Sequence, residues 1–252
     1  MVIIKSPEEI KKIAVAGKIL AKILKTLAKE AKIGVSLDYL DKLAYQLTIK
    51  EKAKPAFLGY QASGAEKPFG GSICASVNNV IVHGLPSTYK LKSGDILGID
   101  FGVEYDNFFA DAALTVGIGN ISKEAKRLIK ATKLALKKAI NQLRPDKTLG
   151  DIGWVIQKTA KDAGFKIPEG LTGHGVGKMI HEDPSVYNYG EKGKGMKLKQ
   201  GMVLAIEPMF AIGTDEIIQI PDDSWATADG SLSAHFEHTI AITSKGPKVL
   251  TD

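Results

Sequence analysis

The chain has 252 residues, 44% hydrophobic and 25% charged, a balance that excludes a disordered or fibrous protein and fits a folded globular one. No apolar run reaches the roughly 18 residues that span a bilayer, the opening MVIIKSPEEIKKI has neither the basic cluster nor the cleavage site of a secretory signal, and the single cysteine, Cys74, rules out an internal disulfide. A cytoplasmic protein is expected, and its net charge of +6 serves solubility or an anionic partner such as RNA.

In chain order, residues 8–31 carry Ile10, Ile13, Ala14, Gly17, Leu20, Leu24, Leu27 and Ala31 at three- and four-residue spacings, which predicts an amphipathic helix. Lys11, Lys12, Lys18, Lys22, Lys25 and Lys29 lie on it. A second helix follows Ser36, its expected N-cap, with Leu37, Leu40, Ala44 and Leu47 as the apolar stripe. Residues 53–72 read as irregular, and SICASVNNVIVHG as strand. The pattern then restarts. Ser122 caps a helix expected to run through Leu143, and Thr148 caps another that stops at Gly164. A Gly-rich segment with Lys192, Lys194, Lys197 and Lys199 follows; no aromatic residue is interleaved, so no base-stacking surface is expected there.

LKSGDILGID at 91–100 returns as LKQGMVLAIE at 198–207, and both copies end on an acid. With the repeated helix-helix-strand order, this predicts an internal duplication, approximately 1–120 and 121–252, within one domain covering 1–252. No linker or low-complexity segment separates the halves.

The strand acids carry the chemistry. In ILGIDFGVEYDNFFADAALTV two β-rich runs flank Tyr105-Asp106-Asn107, a turn signal. With Tyr105 and Asp106 as the loop, Asp100 falls opposite Asp111, with Cβ atoms ~4.5–5.5 Å apart. At that distance two like charges repel by roughly 3 kcal/mol at an effective dielectric near 20, whereas a divalent cation between them reverses the sign. GLTGHGVGKMIHEDP places His174 and His181 among glycines; Glu207 ends an apolar run; and alternation in SLSAHFEHTIAIT puts His235, Glu237 and Thr239 on one face. Asp100, Asp111, Glu207 and Glu237 cannot all stay ionised together without counter-charge. Either some of them hold protons or two divalent ions balance them, which with His174 would make a dinuclear site with metals ~3.5–4 Å apart.

The order and spacing of His83, Asp100, Asp111, His174, His181, Glu207 and Glu237, with the stretches NNVIVHGLP, GHGVGKMIHEDP, AIEPM and SLSAHFEHTI, resemble the type I methionine aminopeptidases over nearly the whole chain. The resemblance implies the α+β "pita-bread" fold, a curved, mainly antiparallel sheet covered by two helix pairs with pseudo-twofold duplication. It implies that Asp100 binds one metal, that Asp111 and Glu237 bridge both, and that His174 and Glu207 complete the other shell. His181 would contact the substrate and help stabilise the tetrahedral intermediate, His83 would hydrogen-bond the substrate or its leaving nitrogen, and Glu207 would be the general base for a metal-activated water. Phe57, Tyr60, Phe69, Cys74, Ile180 and Trp225 would line an apolar methionine pocket. The family's substrates are nascent polypeptide N-termini with a small second residue. A monomer is expected, with ribosome contact through the basic surface, no membrane and no sequence-specific nucleic acid. Mixed His and carboxylate ligands accept Mn, Fe, Co or Zn. The chain departs from the family at Gln61, Ile180 and Ala110 and in a longer 60–71 loop. Xaa-Pro aminopeptidases and prolidases share the fold and metals, but usually carry an extra N-terminal domain for which this chain has no room. A binding module of the same fold would tend to lose ligands, and all five are present.

Overall fold

A computed structural model describes residues 2–61 and 67–252. The elements in order are α1 (Pro7–Glu30), α2 (Leu37–Lys50), β1 (Lys54–Pro55), β2 (Cys74–Val77), β3 (Val80–Val82), β4 (Ile96–Tyr105) and β5 (Phe108–Gly117). Then come α3 (Lys123–Ile140), α4 (Leu149–Ala163), β6 (Thr172–Gly175), β7 (Glu182–Tyr187), β8 (Val203–Ile206) and β9 (Met209–Ala211). The chain closes with β10 (Ile217–Gln219), β11 (Trp225–Thr227), β12 (Ser233–His235), β13 (His238–Thr243) and β14 (Gly246–Val249). Among the described residues no helix is long and apolar enough to cross a membrane.

Local chemistry explains the helix ends. α1 starts on a reciprocal cap in which Ser6 and Glu9 each satisfy the other's backbone amide, with Pro7 at the first turn. α4 repeats the device with Thr148 and Asp151, and stops where Gly164 turns left-handed. Ser122 caps α3, which ends at Ile140, short of Leu143, because residues 141–144 tighten into turns with Gln142 and Leu143 bonded back to Ala139 and Ile140. Ser36 occupies the cap position of α2 but makes no capping bond; its hydroxyl turns to the Asp38 carboxylate. The expected strand at 72–84 is two strands, β2 and β3, broken at Asn78, which sits at φ 56.

All strand pairs are antiparallel. β4 pairs with β1, β2 and β5, and a five-stranded sheet runs β14-β13-β8-β6-β7. The apolar stripes of α1 and α2 meet β4 and β5 around Leu20, Leu40, Ile99 and Phe101. Those of α3 and α4 cover the second sheet around Leu128, Ile156, Leu204 and Ile240. Leu114 packs against both clusters.

The central hairpin corrects the expected register. Tyr105 pairs with Phe108, so the loop is Asp106-Asn107, at φ 52 and 61. A two-residue turn of this kind needs left-handed backbone at both positions, which Asp and Asn tolerate and Tyr resists. Asp100 therefore faces Ala113, and Asp111 faces Gly102. The shift is two residues, not one, so both acids stay on one face as diagonal neighbours.

Candidate metal centre

The two sheets meet where Thr239 of β13 exchanges hydrogen bonds with the Asp111 backbone, donating to its carbonyl at 2.8 Å and accepting its amide at 2.8 Å. Beside this junction the Glu237 amide donates to Ala113 O at 2.8 Å. Glu237 thus lies in the break between β12 and β13, turned into the hairpin that carries Asp100 and Asp111. Pairing of His174 with Ala205 and of His238 with Ile206 brings His174, Glu207 and Glu237 to adjacent positions. Their ligand atoms lie within 4.8 Å of one another, as do those of Asp100, Asp111 and Glu237, and those of Asp111, His174 and His181. All five predicted ligands converge, drawn from both sheets.

The donor set fits divalent cations. Asp111, Glu207 and Glu237 are buried, and Asp100 Oδ1, Asp111 Oδ1 and Glu237 Oε1 have no hydrogen-bond partner among the described residues. Burial first, then mutual repulsion, pushes Asp100, Glu207 and Glu237 well above the usual carboxylate range. Burial raises Asp111 to about 7, and Asp100 shares a hydrogen bond with it. Without cations such a cluster must hold protons; with them, the orphaned oxygens acquire partners.

His174 is set up to ligate. Its Nδ1 lies 2.9 Å from the Gly175 carbonyl and so carries the proton. Nε2 keeps its lone pair toward Glu207 Oε1 at 3.5 Å and Asp111 Oδ2 at 3.8 Å. Burial lowers its pKa to about 4, so it is neutral at physiological pH.

His181 packs its ring 4.4 Å from that of His174, with Nδ1 2.9 Å from the Tyr60 hydroxyl. Burial, then the neighbouring His174 and His83, lower its pKa to about 3. His83 has a left-handed backbone, φ 61, and its carbonyl accepts from Ser224 Oγ at 3.0 Å. It is near enough to His181 and His235 to disfavour their protonation.

Phe57, Cys74 and Ile180 form one buried apolar cluster, with Tyr60 and Phe69 packed on it. Trp225 is not part of it. It pairs with Val82 across β11 and β3 and packs with Ile81, Val82 and Met209, because that strand pairing turns the indole to a different cluster. Cys74 faces Asp100, and burial, then that acid's charge, raise its thiol well above the usual range, so it is no nucleophile. Of the departures, Ala110 is buried in the core beneath α1, and Ile180 is in the apolar cluster with Phe57 and Cys74. Within the longer 60–71 loop, residues 62–66 lie outside the described residues.

Sequence reasoning missed four contributors. His235 gained no role, yet its buried Nε2 lies 3.5 Å from Glu207 Oε2; its place two residues before Glu237 was the available signal. Phe109 and Ala56 join the apolar cluster without a sequence signal. Gly102 offers one: a Cβ there would lie 2.9 Å from Phe57 and 3.0 Å from Ile180, so only the absence of a side chain lets these two residues pack as they do. Gly102→Ala is therefore expected to raise about tenfold the KM of a peptide whose side chain enters this cluster, by displacing its walls, with divalent affinity within about twofold. Steady-state kinetics beside a metal titration check this.

The surface also differs from expectation at one point. Lys192 lies 3.7 Å over the Trp154 ring, so an aromatic residue from α4 does enter the basic 192–199 segment.

A buried carboxylate–imidazole cluster between two halves of an α+β fold defines a metallopeptidase of the M24 class, and residues 11–244 match metallopeptidase family M24. The chain is 46% identical over 252 residues to the methionine aminopeptidase of Aquifex aeolicus (strain VF5), covering 98% of this chain and 97% of that one. It superposes on the crystal structure of the methionine aminopeptidase of Thermotoga maritima with a TM-score of 0.95 at 40% identity, over 100% of both chains. The prolidase of Pyrococcus horikoshii OT3 is more distant, with a TM-score of 0.75 at 28% identity, and this chain spans 64% of it. The chain belongs to the methionine aminopeptidase family.

Proposed function

We propose that the chain removes the N-terminal methionine from nascent polypeptides whose second residue is small, using two divalent cations held by Asp100, Asp111, His174, Glu207 and Glu237. The observation that carries this is the gathering beside the free Nε2 of a neutral His174 of carboxylates drawn from both sheets, of which Asp100 Oδ1, Asp111 Oδ1 and Glu237 Oε1 are buried with no hydrogen-bond partner among the described residues. The cations, when bound, supply Lewis acidity and lower the pKa of water toward neutrality. Everything else falls to the chain. The acids draw the free α-ammonium of the substrate, which restricts cleavage to the first residue. The Phe57–Cys74–Ile180 cluster takes the thioether side chain. Glu207, steered by the His235 imidazole, takes the proton from water and returns it to the leaving amine. Tyr60 donates to His181 Nδ1, which leaves the His181 proton on Nε2 to bond the substrate carbonyl. His83 holds the leaving nitrogen. The two halves act as a single domain, because the Asp111–Thr239 and Glu237–Ala113 bonds cross the site itself. The same reading makes it a cytoplasmic monomer that meets the ribosome through its lysine-rich surface, which salt-sensitive co-sedimentation would test.

The deciding experiment strips the metal, restores Mn, Fe, Co or Zn singly, and compares Met-Ala-Ser with Ala-Pro-Ala. Divalent-dependent release of methionine from the first is expected. Preference for the second peptide, or no turnover with any metal, overturns the assignment.

A further inference from the structure

Lys5 lies just before α1, far in sequence from every site residue, yet its side chain is 1% exposed and ion-paired to Glu182, also 1% exposed. Its backbone is tied down, with the amide donating to Gly201 O at 2.8 Å. Its stem passes Gly177, where a Cβ would meet Lys5 Cε at 2.6 Å and φ is 151, so this passage exists only beside a glycine. Glu182 opens β7 and closes the 176–181 loop. While one oxygen takes Lys5, Oε1 accepts the amides of Lys178 at 2.6 Å and Met179 at 3.2 Å. A second clasp joins the loop to the same helix start, Lys178 Nζ to Glu9 Oε1 at 2.8 Å. The last two loop residues are Ile180, a wall of the apolar pocket, and His181, bonded to Tyr60 beside His174.

We propose that Lys5 is a positioning residue for the reaction: by neutralising Glu182 it locks the 176–181 loop, and so sets both the pocket wall at Ile180 and the hydrogen-bond direction of His181. A plain stabilising pair has no need to sit where one carboxylate gathers a remote lysine and two amides of a loop that ends in two site residues. A buried carboxylate that lost its cation would have to move toward water or take a proton, and either change loosens its hold on those amides. The catalytic part rests on the reading of Ile180 and His181 given above; the structural part does not.

The test uses full-length Lys5→Met, Glu182→Gln and the double variant. In metal-free protein, hydrogen exchange at the Lys178 and Met179 amides is expected to quicken about tenfold in either single variant, with β13 amides within about twofold. The His181 imidazole nitrogen shifts should move from one tautomer toward a mixture. In the loaded enzyme, kcat/KM for Met-Ala-Ser should fall about tenfold through both KM and kcat, with divalent affinity unchanged. The double variant should recover part of the loss. Unchanged loop exchange, equal acceleration throughout the molecule, or a loosened loop with unaltered turnover overturns the proposal. If the wild-type chain releases no methionine, the assigned activity fails, while exchange and imidazole shifts still decide the role of Lys5.

Discussion

Asp111→Asn is expected to lower Met-peptide turnover by on the order of 10³-fold or more, because the substitution keeps the shape of the site and removes a proposed ligand from its centre. The same change should make the metal-free protein more stable. Asp111 is 2% exposed and shares a hydrogen bond with Asp100, while Glu207 and Glu237 feel its charge. Replacing an anion in that cluster by a neutral amide relieves repulsion and supplies a donor to the remaining acids. A gain of about 1–2 kcal/mol corresponds to a rise of roughly 2–8 °C in Tm for a chain of this size. The two effects must appear together: metal-free melting temperature up, cation-induced stabilisation and activity down. Calorimetry with and without added Mn, beside a turnover assay, checks both. A metal-free variant less stable than the wild type would mean that the acids are not in mutual conflict.

The second large effect is a change in the sign of the pH dependence of stability when metal binds. In the metal-free chain Asp111 titrates near 7, raised from 3.8 by burial, and burial with mutual repulsion raises Asp100, Glu207 and Glu237 well above the usual carboxylate range. A raised acid binds its proton in the folded state when the unfolded chain has lost it, so its contribution is full below the unfolded pKa and is lost as pH climbs through the folded one. The imidazoles act oppositely. His174, lowered to about 4, and His181 and His235, lowered to about 3, contribute above 6.5 and lose that contribution as pH falls through the lower values. The two trends oppose each other below 6.5. Above it the imidazoles are neutral in both states and the carboxyls decide. Metal-free Tm should therefore fall from pH 6.5 to 8. A cation displaces those protons, so its affinity rises over the same interval. At a free concentration about a hundred times Kd it adds about 3 kcal/mol, or roughly 5–10 °C. Thermal melts at pH 6.5, 7.2 and 8.0, with chelator or Mn, should diverge with pH. A cation-induced shift that stays constant across the series would remove the link between the acids and the metal.

Much of the site was legible because its parts are local. Capping chemistry at Ser122 and Thr148, the stop at Gly164 and the acids Asp100 and Glu207 at the ends of the two repeated stretches are patterns of a few residues, and can be read at that range; Ser36, expected as a cap, makes no capping bond, and Asp100 lies within β4 rather than at its end. The expected hairpin register is off by two residues, because the left-handed backbone of the loop falls on Asp106 and Asn107, which tolerate it, and not on Tyr105. The error was harmless to the chemistry, since an even shift leaves both acids on one face.

By itself the sequence determined which side chains carry charge in an apolar strand context, and that four acids and a histidine need a counter-charge; this follows from composition and alternation along the chain. Only the tertiary structure decided that the acids share one buried space, that Nε2 of His174 is the free nitrogen, that Trp225 packs elsewhere, and that Lys5 crosses the molecule to Glu182. Those outcomes depend on contacts between residues remote in the chain, such as Asp111 with Thr239 and Lys5 with Glu182, which local propensity does not encode because burial and partner are set only when the two sheets and the first helix pack.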